Sequence, residues 1–156
     1  MDRRRFLAAS ATLALTAAAR PGFAGPFNQA APKIEWQTDL KAAYRLAVRD
    51  DKPILIVFGA SWCTFCHKLD RETFADRRMV EFVQTSFIPV HLDFDKEPHA
   101  AKVLEVEQLP ASVVLSPEAD LLKRTIGYYK YDKYREELDL ALAEGAKIRQ
   151  VRGTKR

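Results

Sequence analysis

Stretches in which apolar residues recur every three or four positions alternate along this chain with short, continuous apolar runs, and that alternation sets the order of elements. Leu40, Ala43, Tyr44 and Ala47 mark one face of a helix that Asp39 can cap or precede. Asp50-Asp51-Lys52-Pro53 breaks that helix, because proline cannot continue it. The unbroken run Ile54-Leu55-Ile56-Val57-Phe58 then reads as a buried strand. Helical spacing returns over Lys68 to Phe82, a second strand is expected at Phe87 to Asp93, and a short helix at Pro98 to Val106. Leu109 to Leu115, a turn at Ser116 to Asp120, and Leu121 to Ile126 spell an antiparallel hairpin. Asp132 to Glu144 closes the series as a helix with Tyr134, Leu138 and Leu142 along one face. A strand-helix-strand unit implies a parallel pair and the hairpin an antiparallel one, so the chain reads as α/β with a mixed sheet flanked by helices.

The two ends have a different character. Asp2-Arg3-Arg4-Arg5 precedes an Ala-rich apolar run from Phe6 to Ala19, too short to span a bilayer and followed by small residues suited to cleavage after Ala19 or Ala24. Residues 1–24 are therefore expected to be a removable export signal, and Arg3-Arg4-x-Phe6-Leu7 resembles the twin-arginine consensus. Residues 25–33 read as a leader, 34–144 as one domain, and 145–156 as a basic, solvated tail. Removing the signal lowers the formal charge from +4 to +1, and setting the tail aside leaves the body at −4. A mildly acidic body argues against nucleic-acid binding, which calls for clustered basic and aromatic residues. Export would place the domain in the periplasm, where disulfides persist.

Both cysteines of the chain lie in Trp62-Cys63-Thr64-Phe65-Cys66-His67, at the turn between the first strand and the helix after it. Residues i and i+3 of a helix share a face with Cα atoms roughly 5 Å apart, within disulfide reach, so the pair can open and close without backbone movement. A sulfur at a helix start is stabilised as thiolate by unpaired amides and the helix dipole, which makes Cys63 the expected attacking thiol. Cys66, one turn further in, is expected to be less exposed and to resolve the mixed disulfide. The same residues also spell the C-x-x-C-H pattern of c-type haem attachment, with His67 as the iron ligand. That reading would consume both thiols and leaves the preceding strand unexplained. A soft metal held between the sulfurs, or a docking module without turnover, are further alternatives.

Trp62-Cys63-x-x-Cys66 after a β-strand resembles the active site of the thioredoxin superfamily. The continuation Leu69-Asp70-Arg71-Glu72-Thr73-Phe74-Ala75-Asp76 is similar to the C-terminal domain of the bacterial transmembrane thiol:disulfide interchange reductase. The resemblance covers Ile34 to Glu144 and implies a thioredoxin fold, no cofactor and no metal. It implies thiol:disulfide exchange with protein or small-molecule disulfides, supplied by a membrane or periplasmic electron donor, in a protein expected to be a monomer. It also implies a cis bond at Pro110, with Leu109 offering its backbone to an extended substrate and Trp62 and Phe65 walling the site. One position departs from the family. Where many thioredoxins carry a buried aspartate that helps take the proton of the second cysteine, this chain has Val57, which leaves water, His67 or an acid from another segment for that task.

Overall fold

The computed structural model describes residues 32–154; the expected signal, most of the leader, Lys155 and Arg156 lie outside the described residues. Helix α1 (Leu40–Asp50) begins where the Asp39 carboxylate accepts the amides of Lys41 and Ala42, at 2.8 and 3.1 Å. It ends at Asp51 in the left-handed region (φ 49°), just before Pro53. Strand β1 (Ile54–Gly59) is buried along its whole length, as its unbroken apolar run requires.

The single helix expected over 68–82 is two, α2 (Thr64–Glu72) and α3 (Arg77–Ser86). The break has a side-chain cause. Thr73 donates its hydroxyl to the Tyr129 carbonyl at 2.7 Å, while Asp76 accepts the Arg78 amide at 2.9 Å and so caps a new helix. Strand β2 (Ile88–Asp93) is followed by α4 (Pro98–Val103), shorter than expected because Glu105 turns left-handed (φ 52°) and the Val106 amide reaches back to Ala101. Strands β3 (Ala111–Leu115) and β4 (Leu121–Ile126) form the hairpin, whose turn is tied by Ser116 Oγ accepting the amides of Glu118 and Asp120.

Helix α5 (Tyr131–Gly153) runs well beyond the expected end at Glu144, so most of the supposed solvated tail is helix. Packing explains the extension: Ile148 lies against the core, and a Cβ on Gly145 would come within 3.1 Å of Leu122. Arg152 then closes on Asp120 at 2.8 Å and Glu118 at 3.6 Å.

The sheet has the order β2-β1-β3-β4, with β1 parallel to β2 and antiparallel to β3, and β3 antiparallel to β4. Side chains alternate between its faces. Leu55, Val57, Val114 and Leu122 face the core shared with α2, α3 and α5, whereas Ile54, Ile56, Phe58, Val90, Leu92 and Val113 face the core under α1 and α4. A parallel bridge from Gln37 to Val90 lays the segment before α1 along the edge of β2 and brings Trp36 against Phe74. The result is the mixed-sheet α/β architecture expected, a thioredoxin fold.

Candidate active site

The two cysteines sit where β1 gives way to α2. Cys63 is the N-cap residue: its backbone is extended, and its sulfur accepts the Cys66 amide at 3.1 Å. The sulfurs are joined as a disulfide with the Cα atoms 5.3 Å apart, the spacing that one helical turn provides. The expected difference in exposure is absent, since Cys63 is 6% and Cys66 5% exposed. The asymmetry between them is one of position: Cys63 holds the amide-rich helix end, and Cys66 faces the interior beside Gly59.

The flanking residues are placed differently. Trp62 and Phe65 are largely exposed, at 65% and 58%, and Trp62 is held by its indole N–H donating to Asp95 Oδ2 at 2.8 Å. Phe94 and Leu109 pack against the cysteine pair, and the Leu109–Pro110 bond is cis. Pro110 is buried at the start of β3, its carbonyl accepting the Gly127 amide at 2.8 Å. The structure thus brings Cys63, Cys66, Trp62, Phe65, Leu109 and Pro110 to one end of the sheet.

His67 is exposed, its Nε2 lying 2.9 Å from the Ser61 carbonyl. A carbonyl only accepts, so Nε2 carries the hydrogen, and the lone pair of the neutral ring lies on Nδ1. Val57 is buried and apolar as expected, but it pairs across the parallel ladder with His91, and both project toward α2. There a cleft of about 260 Å³ opens beside Cys66, and its ionisable lining is His67, Asp70, His91 and Asp93. Burial pushes the Asp70 carboxyl up, opposed by the nearby His91, His67 and Arg71.

Sequence reasoning did not single out His91, Asp70 or Asp95. A histidine inside an otherwise apolar strand run was a visible signal for the first. Its neighbours were not visible until the β1–β2 register was known.

Fold and site together place the chain in the class of thioredoxin-fold proteins that carry a Cys-x-x-Cys disulfide at the head of α2. Within it, the chain belongs to the family described as "Thioredox_DsbH: Protein of unknown function, DUF255", whose model matches residues 26–118. It is 29% identical over 70 residues to spermatogenesis-associated protein 20 of Mus musculus and 27% identical to that of Rattus norvegicus, covering 45% of this chain in each case. The chain spans only 9% of either relative's length. Among solved structures it is similar to a DsbH oxidoreductase (TM-score 0.66, 21% identity, 81% of this chain and 96% of that one). It is also similar to the C-terminal domain of Neisseria meningitidis DsbD in its oxidised form (TM-score 0.56, 23% identity, 67% and 97%). A Thermus thermophilus thioredoxin matches at a TM-score of 0.66 with 19% identity, over 72% of this chain and 90% of that one. At these identities the structural likenesses speak to the fold.

Proposed function

We propose that this protein is exported to the periplasm and reduces disulfides of other proteins, with Cys63 attacking and Cys66 resolving. The observation that carries the exchange chemistry is the capping geometry: the Cys63 sulfur accepts the Cys66 amide at the head of α2, so a thiolate formed there is stabilised before any substrate arrives. Trp62 and Phe65 offer an exposed apolar collar for a polypeptide substrate, and Leu109 lies beside the cysteines where an extended chain would pair.

Charge supports this direction. A strongly stabilised thiolate favours the reduced pair and makes an oxidant. Here the charged lining of the cleft beside Cys66 is Asp70 and Asp93, with no lysine or arginine, and Asp95 lies close by against Trp62. Carboxylates disfavour a neighbouring thiolate, so the helix end acts largely alone. The pair is expected to have a potential below about −200 mV. The electron donor is then a membrane or periplasmic dithiol of lower potential still, and the protein acts as a monomer without a cofactor. Export rests on the likeness of residues 1–24 to a twin-arginine signal.

Equilibration of the purified protein against glutathione buffers, read by thiol alkylation, tests the direction. A potential below about −200 mV supports a reductase; one near −120 mV would make the protein an oxidant.

A further inference from the structure

Exchange requires Cys66 to lose a proton before it attacks, and the position of the usual acid supplies no acceptor. Val57 fills that position with an apolar side chain, and on the exposed His67 the Nε2 is engaged with the Ser61 carbonyl. His91 is placed to take the proton. A point one Cβ bond out from Gly59 lies 3.4 Å from His91 Nε2, 3.1 Å from its Cε1 and 3.6 Å from Cys66 Cβ, so imidazole and cysteine close on the same glycine from two sides. A Cβ at this position would press on the imidazole, which would have to give by a few tenths of an ångström. The two groups share the cleft next to Gly59, which has room and polar partners for water.

The ring's other surroundings fit the task. Asp70 Oδ1 lies 3.8 Å from His91 Nε2, too long for a hydrogen bond but close enough to stabilise an imidazolium. Trp36 meets the ring edge-to-face at 5.5 Å. The titratable groups facing His91 are Asp70, His67 and Cys66 from α2 and Asp93 from its own strand; β1 and the segment before α1 present Val57, Gly59 and Trp36, which do not titrate.

We propose that His91, backed by Asp70, is the proton acceptor for Cys66, reached through one water in the cleft beside Gly59. The step rests on the exchange reading above. In it, the Cys66 S–H proton passes through water to His91 Nε2, and the Cys66 thiolate attacks Cys63 Sγ of the mixed disulfide. The Cys63–Cys66 bond forms as the bond from Cys63 to the substrate sulfur breaks, so the cysteine pair is oxidised by two electrons and the substrate reduced. The leaving thiolate is protonated from solvent, and His91 returns its proton to solvent. Asp70 acts through His91 and is a positioning residue.

The test uses reduced full-length protein mixed with excess 5,5′-dithiobis(2-nitrobenzoate). The first thionitrobenzoate released reports attack by Cys63, and the second, whose rate does not depend on reagent concentration, reports resolution by Cys66. In the wild type the second phase should show an inflection between about pH 5 and 8. His91→Gln should lose that inflection and lower the ratio of second-phase to first-phase rates by about tenfold or more. Asp70→Asn should move the inflection to lower pH, since the imidazolium loses its carboxylate. An unchanged ratio and profile in His91→Gln would overturn the proposal, as would a wild-type second phase with no inflection below about pH 8. The wild-type profile and Asp70→Asn carry the test should His91→Gln fold poorly. A wild type that releases nothing in the first phase overturns the exchange reading itself, and this proposal with it.

Discussion

The two faces of the sheet are built from the same alternating strands, yet they differ in what they tolerate. Under α1 and α4 the sheet presents Ile54, Ile56, Phe58, Val90, Leu92, Ala111 and Val113, with Arg124 of the β4 edge reaching out to the Leu104 carbonyl and Glu105. On the other face, Ser112 shares a hydrogen bond with the buried Tyr134 hydroxyl, Thr125 reaches Glu137, and His91 stands beside Asp70. The first face is an apolar packing surface as far as its Arg124 edge. The other carries the polar groups and continues directly into the cleft beside Cys66. A buried polar group is costly unless paired, so the second face must be specified atom by atom, while the first needs only volume and shape.

Substitutions on each face should therefore fail in different ways. On the apolar face, Ile56→Ala removes a fully buried side chain and should cost about 2–5 kcal/mol in a denaturant titration, while the Cys63–Cys66 potential of the folded protein stays put. A shifted potential would show that the two faces are not independent. On the polar face, Tyr134→Phe keeps the ring but leaves Ser112 Oγ buried without its partner, for about 1–3 kcal/mol. Adding Ser112→Ala should recover most of that loss. A double variant no better than the single one would mean the hydroxyl pair is not what Tyr134 contributes.

Smaller effects mark the edges of the comparison. Arg152→Ala removes the half-exposed clamp between the end of α5 and the β3–β4 turn and should cost about 0.2–1 kcal/mol, with faster amide exchange confined to the last turns of α5. Exchange that is already fast there in the wild type would contradict a docked helix end. Asp70 gives the smallest effect and a signed one. Its folded-state pKa is raised by burial, so its contribution is fully present below the ordinary carboxylate pKa of 3.8 and is lost as pH rises through the folded value. Asp70→Asn should therefore unfold at slightly higher denaturant than wild type at pH 7, by under about 0.5 kcal/mol for a side chain 42% exposed, and equally at pH 3. A variant less stable at pH 7 would reverse the sign.

The contrast between the faces also explains what could be read without coordinates. Continuous or periodic apolar runs are a property of one segment at a time, so β1, α1, the β3–β4 hairpin and the C-x-x-C turn were all legible from local sequence. The split between α2 and α3 was not, because helical spacing continues across it and the break depends on Thr73 finding the Tyr129 carbonyl on a distant segment. The extension of α5 was missed for a similar reason. Its basic composition resembles a solvated end, and it takes Ile148 against the core, Leu122 against Gly145 and Asp120 against Arg152 to show that it is docked. At the site, the cysteines and Pro110 were legible through family likeness, while His91, Asp70 and Asp95 came into view only with strand register and loop path.

Unequal roles for two cysteines three residues apart are the central claim, and trapping tests it most directly. Cys63→Ser and Cys66→Ser variants would each be incubated with a disulfide-bonded protein substrate, and the mixed disulfides counted on non-reducing gels after acid quench. Cys66→Ser should accumulate the complex, because the attacking sulfur at the head of α2 is intact and nothing resolves it, while Cys63→Ser should accumulate little. Equal trapping by both variants, or more by Cys63→Ser, would contradict the assignment.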